Sequence, residues 1–270
     1  MVEKRTSEEK AKSVNVTDVD AYSPRQIAER VEAAGVNKAG LALDKLATLG
    51  VLAGVFISIG AALFTLVMTG NDLGFGPGRL LGGVAFSLGL VLVVVGGAEL
   101  FTGNALIVMA WADGKVSLAS LLRNWLVTFV SNGVGAIGLA VLISASGILG
   151  LGEQQQTAAN IAIAKLALPA SEAFFRGILC NMLVCLAVWQ SFAARSVIGK
   201  VVAVMFPVAA FVALGFEHSI ANLYLIPIGM MAGADGSALD FASNVIFVTA
   251  GNIVGGAGGI ALIYWIIYRR

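Results

Sequence analysis

Charge is scarce in this chain: 12% of its 270 residues are Asp, Glu, Lys or Arg, and the formal net charge is +1. So few ionisable side chains cannot dress the surface of an ordinary water-soluble domain of this length. The near-neutral balance also offers no basic surface for nucleic acid. Histidine occurs once, at His218, and cysteine twice, at Cys180 and Cys185. One His and two Cys spaced five apart supply neither clustered metal ligands nor a nucleophile with its base, so no metal, cofactor or enzymatic activity is expected. The two Cys fall within one apolar stretch and read as small buried hydrophobes. No P-loop is present, which argues against nucleotide-driven pumping by this chain.

What is abundant is apolar surface. Hydrophobic residues make up 58% of the chain, glycine contributes 33 residues, and the mean hydropathy is +0.90. Six apolar runs predict membrane spans: Leu46–Met68, Leu80–Trp111, Leu121–Ser144, Glu172–Phe192, Val197–Met231 and Phe241–Tyr268. The second and fifth are too long for one straight span, and each carries the same polar interruption. Glu99 and Asn104 in GGAELFTGNALIVM, and Glu217 and Asn222 in GFEHSIANLYLIP, share the spacing E-x4-N and lie 118 residues apart. Polar groups at bilayer depth are tolerated only where the backbone faces protein or a watery path, so each run reads as two half-helices flanking a shared conduit.

A second internal match agrees with the first. Asn124–Ile143 aligns with Asn244–Ile263, pairing Asn124 with Asn244, Asn132 with Asn252, and Val134-Gly135 with Val254-Gly255, at an offset of 120. Two offsets this close predict a duplicated three-span unit, and an odd number of spans per unit forces the copies into opposite orientations. Fourteen of the 17 Lys and Arg fall on one side of a six-span topology, leaving Arg79, Lys165 and Arg176 on the other, so both termini are expected in the cytoplasm. Residues 1–40 are polar and long, and the first span is expected to direct insertion itself.

The chain therefore divides into a cytoplasmic segment, 1–40, and a six-span membrane domain, 41–270. Residues 1–20 are charge-rich and expected to be disordered. Ser23-Pro24-Arg25-Gln26 predicts a helix start, with Ser23 as cap, Pro24 in the first turn and Gln26 three after the cap. Ile27, Val31 and Ala34 then line one face of a short amphipathic helix, about 24–34, that stops at Gly35 and lies at the pore mouth or on the lipid surface.

The runs Gly96–Asn104 and Gly215–Pro227, the paired breaks and the opening SPRQIAERVEAAGVNKA together resemble the formate/nitrite transporter family, over essentially the whole chain from Tyr22. The resemblance implies a homopentamer in the cell inner membrane, each protomer an aquaporin-like fold with its own pore for a small monovalent anion. Formate is the expected substrate, with nitrite or hydrosulfide as alternatives, moved passively or with proton coupling. An aquaporin-like channel for neutral solutes would share the inverted repeats, but its paired Asn-Pro-Ala boxes are absent.

Site residues follow in the same way. By residue type His218 fits either an anion ligand titrating near neutrality or a group satisfying a broken-helix carbonyl, and the resemblance implies the former. Thr102 fits a pore hydroxyl or an intrahelical bond, and Lys165 an anion-attracting vestibule cation or a snorkelling lysine; the resemblance implies the pore role for each. Asn181 fits the path or interhelical glue. Phe86, Leu90 and Phe211 read as packing residues by type, whereas the resemblance implies hydrophobic constrictions. Glu99, Asn104, Glu217 and Asn222 read as loop scaffold, tying each break to its neighbours.

Overall fold

The computed structural model describes residues 21–270, so the disorder expected over 1–20 lies outside the described residues. Among the described residues the secondary structure is entirely helical. Helix α1 (Pro24–Ala39) starts on a capping box: extended Ser23 accepts from Gln26 N, and Gln26 Oε1 accepts from Ser23 N at 2.9 Å. The helix runs past Gly35 because that glycine lies against Ile107 and Ala110, where close backbone packing favours it, and the extra turn carries Lys38. On the buried face of α1, Glu32 takes Lys115 and, at 2.7 Å, Arg269 Nε. Asp113 joins this cluster through Lys115 at 2.9 Å and Trp265 Nε1 at 3.3 Å.

Five helices among the described residues are long and apolar enough to cross a membrane. They are α2 (Leu43–Met68), α3 (Phe75–Gly96), α5 (Leu118–Ala145), α7 (Ala170–Ala193) and the run Ala238–Tyr268. That last run comprises α10 (Ala238–Ile253), a wide π-helical segment (Val254–Leu262) and α11 (Ile263–Tyr268). Three shorter apolar pieces accompany them. A 3₁₀ turn, Gly103–Ile107, leads into α4 (Val108–Ala112), and α8 (Val197–Ala213) is followed by α9 (Ser219–Met231). Helix α3 ends at Gly96 and helical structure resumes at Gly103; α8 ends at Ala213 and α9 begins at Ser219. A helix not foreseen in the sequence, α6 (Gln154–Leu166), lies before α7; its glutamine-rich start hid it.

Each stop is made by a glycine in the left-handed region, Gly97 at φ +80° and Gly215 at φ +76°. A side chain is strained at such a φ, so glycine ends the helix and turns the chain. Helix α2 packs on α3 and α5, α3 on α8, α7 on α8 and α10, and α9 on α5 and α6. The crossings are tight at two equivalent places: a Cβ on Gly135 would collide with Val51 O, and one on Gly255 with Ile178 O. In lipid, where the apolar drive between helices is weak, such backbone approach is a main source of packing energy. Outward-facing Leu126 and Phe206 each keep 66% of their surface exposed, a belt suited to lipid or neighbouring apolar protein rather than water.

Candidate functional site

The two interrupted segments meet inside the bundle, and the same polar lattice holds each of them. In the first, Glu99 N donates to Leu49 O at 3.2 Å. Asn132 Nδ2 donates to Gly50 O (2.7 Å) and Glu99 O (2.9 Å), while Phe101 N donates to Asn132 Oδ1 (2.9 Å). In the second, Glu217 N donates to Arg176 O at 3.3 Å. Asn252 Nδ2 donates to Gly177 O (2.8 Å) and Glu217 O (3.0 Å), while Ser219 N donates to Asn252 Oδ1 (2.9 Å). Asn132 and Asn252, both fully buried, thus each pair two backbone groups of the non-helical stretch, Glu99 O and Phe101 N or Glu217 O and Ser219 N, and tie them to a carbonyl of a neighbouring continuous helix.

The side chains repeat the pattern. Asn104 Nδ2 donates to Glu99 Oε2 (2.8 Å) and Asn124 Oδ1 (2.9 Å), and Asn124 Nδ2 donates to Lys38 O (3.0 Å). Asn222 Nδ2 donates to Glu217 Oε2 (2.6 Å) and Asn244 Oδ1 (2.8 Å), and Asn244 Nδ2 donates to Lys165 O (2.9 Å). Each buried carboxylate carries its own lysine: Lys38 Nζ lies 2.7 Å from Glu99 Oε1, and Lys165 Nζ lies 3.0 and 2.8 Å from the two oxygens of Glu217. A buried carboxylate is costly unless paired, and here lysine and asparagine together meet that cost. Lys165, expected as a vestibule cation or a snorkelling lysine, is ion-paired with Glu217.

Thr102 and His218, 116 residues apart in sequence, face each other across the two segments, with Thr102 Oγ1 2.9 Å from His218 Nε2 and both residues buried. His218 also caps α9, accepting from Ala221 N at Nδ1 (3.1 Å). In the neutral ring that leaves the proton on Nε2, which donates to Thr102, so the threonine hydroxyl hydrogen is free to reach another acceptor. The Phe211 ring stacks on His218 with centroids 6.0 Å apart, and Phe86 meets Phe211 edge-on at 5.7 Å. Asn181 Nδ2 donates to Thr102 O (3.2 Å) and Asn252 O (2.7 Å), linking this pair to the second lattice.

A cavity opens from each side towards the pair. The larger, about 430 Å³, is lined by Phe86, Phe211, Lys165, Glu217 and His218, together with Arg79 and Arg176. The smaller, about 290 Å³, is lined by Leu90, Glu99, Asn104 and Lys38, with Arg30 and Lys200. All eleven residues expected at the site therefore fall on the cavity walls, the Thr102–His218 contact or the lattice behind them. Sequence reading missed Lys38 and Arg79. Lys38 matches Lys165 at an offset of 127, which Gly50 and Gly177 share, but so few identities at that spacing carry little signal.

The family model described as Formate/nitrite transporter matches residues 25–266. The formate channel FocA of Escherichia coli (strain K12) is 40% identical over 93% of this chain and 96% of its own length. A probable formate transporter of Methanothermobacter thermautotrophicus is 38% identical over 92% and 97%. A solved structure described as a pentameric formate channel with formate bound superposes with a TM-score of 0.78 at 41% identity, covering 85% of this chain and 98% of that one. A second, described as an FNT family ion channel, gives a TM-score of 0.84 at 28% identity over 90% and 98%. The matched breaks, their shared lattice and these similarities together establish that the chain belongs to the formate/nitrite transporter family.

Proposed function

We propose that this membrane protein conducts a small monovalent anion, formate foremost, through a pore within each protomer of a homopentamer. The observation that carries this reading is the Thr102–His218 contact lying between two cavities, each bearing a lysine. The matched lattices support a protomer of six spans arranged as two inverted repeats with the second and fifth spans broken, as in an aquaporin-like fold. On this reading both termini face the cytoplasm, the cavity of Lys165 is the outer one, that of Lys38 is the inner one, and α1 lies at the inner mouth.

An anion entering from outside passes the aromatic pair Phe86 and Phe211, where apolar walls strip water. At the waist the free Thr102 hydroxyl hydrogen, and the Nε2–H of His218 once it turns from Thr102 to the anion, replace the lost hydration with two donors. Leu90 bounds the waist on the inner side. The anion crosses as such, or, when the ring has first taken up a second proton at Nδ1 and become imidazolium, it takes the Nε2 proton, crosses as the neutral acid and leaves the neutral imidazole behind. Asn181 orients Thr102 through its carbonyl, and Glu99, Asn104, Glu217 and Asn222 hold the two breaks in register.

Uptake of formate, nitrite and hydrosulfide into proteoliposomes across pH tests the reading. His218→Asn retains a capping acceptor for α9 but no titratable ring. Formate uptake by the unaltered protein with a pH profile that the substitution flattens is the expected result. An identical profile would remove His218 from the mechanism, and absence of anion flux in the unaltered protein would remove the function.

A further inference from the structure

The outer cavity contains more cations than its anion-attracting role has been assigned. Lys165 is bound by both oxygens of Glu217, and Arg176 is paired with Glu172 at 2.8 Å. Arg79 lines the same cavity and, among the described residues, makes no ion pair. Its guanidinium binds backbone instead: Nε donates to Ala213 O at 2.8 Å and Nη2 to Val212 O at 2.9 Å. Three cations against two carboxylates leave one positive charge, and Arg79 is the cation with no carboxylate in contact.

The same contacts explain how the charge is held. The last four carbonyls of α8 have no partner within the helix. Leu214 N serves Ala210 O, Phe216 N serves Phe211 O and Gly215 N serves Val212 O. Ala213 O is left to Arg79, which also shares Val212 O. One turn along α3, a Cβ on Gly83 would collide with Ala209, so α3 and α8 touch at backbone distance and Arg79 can reach the helix end. A cation at a helix carboxyl end is favoured by the helix dipole, and the acceptors it binds are neutral, so its charge stays uncancelled.

We propose that Arg79 is the residue whose charge draws anions into the outer cavity, and that it holds this position by closing the carbonyl end of α8. The proposal rests on the reading of this pore as an anion path.

The test is initial formate influx into proteoliposomes, at formate well below saturation, in an impermeant salt at about 0.01 M and about 1 M, between which screening length falls roughly tenfold. Arg79→Gln should lower influx by roughly threefold or more at low salt, with the deficit shrinking at high salt, and Arg79→Lys should retain most of it. Leu214 lines the cavity beside the Arg79 contacts and is exposed. Leu214→Glu therefore offsets the charge with the cap left in place, and should reproduce the salt-sensitive loss, whereas Leu214→Gln should not. A deficit independent of salt and shared equally by Gln and Lys at position 79 would reduce Arg79 to a cap. If Arg79→Gln fails to assemble, equal low-salt influx for Leu214→Glu and Leu214→Gln overturns the proposal. Unaltered protein that carries no formate at all would sink the anion-path reading instead.

Discussion

Asn132 and Asn252 show how much one side chain carries in this protein. Each sits fully buried and pairs three backbone groups from two segments. Replacing Asn252 by Ala takes the side-chain partner from Glu217 O and Ser219 N, which lie where the helices stop, a cost on the order of 3 kcal/mol given the desolvation penalty of orphaned groups. Thermal melting of the purified protein in detergent should show a drop of several degrees, and an unchanged midpoint would mean that other groups serve the break. The sequence marked both asparagines as repeat partners but not as the groups that hold the breaks. The cause is distance along the chain: Asn252 reaches a carbonyl 75 residues away and an amide 33 away, and only folding brings them together. Thr102, His218 and the two E-x4-N pairs were readable because polar residues in an apolar run advertise themselves. Lys165 was readable as a residue but not as a pair, since Glu217 lies 52 positions on.

At the scale of elements, α1 is fastened by charge. Lys115 donates to Asp113, as does Trp265, and these bonds hold the Asp113 carboxyl below the usual carboxylate range. Bonds to Glu32 and Asp113 raise Lys115, and the bond to Glu32 raises Arg269. A depressed acid contributes stability that is present above its unfolded value, about pH 4, and fades as pH falls through the folded one. A raised lysine contributes below about pH 10 and fades as pH rises through its folded value. The clamp is therefore complete between those limits and weakens in acid through Asp113. Glu32→Gln should speed hydrogen exchange of α1 amides roughly tenfold or more, the loss of about 2 kcal/mol from charged hydrogen bonds. Equal protection in both proteins would show that apolar contacts alone hold α1.

Helix crossings give a second prediction at this scale. Gly255→Ala drives a methyl into Ile178 O and should destabilise by about 1–3 kcal/mol or block assembly. Gly138, inside α5 with open space beside it, should accept Ala with a gain of up to about 1 kcal/mol. The same melting experiment checks both, and a neutral Gly255→Ala would contradict the close approach. Span boundaries were readable to within a few residues because apolar runs end abruptly at polar or glycine residues. Helix α6 was not, since QQQTAANIAIAKL has too little apolar character to stand out. The last turn of α1 was not, since its Gly35 reads as a stop until Ile107 and Ala110 are seen against it.

For the whole molecule, the proposed reading of two inverted repeats takes in more than the two sequence matches that suggest it. The spans agree at offsets of 118 and 120, but Lys38 and Lys165 extend the correspondence at 127 to α1 and α6, the helices that deliver a lysine to each cavity. The halves differ where they meet: Leu100 and Ile220 stand opposite the places of His218 and Thr102, so each half supplies one member of the central pair. On that reading, two matching lattices frame one asymmetric waist. The most direct test of that waist is formate flux through purified protein carrying Thr102→Val, which preserves shape and removes the hydroxyl. With assembly and melting near those of the unaltered protein, formate flux should fall about tenfold or more, since one of two donors at the dehydrated contact is gone. Flux equal to that of the unaltered protein would contradict a path through the Thr102–His218 contact.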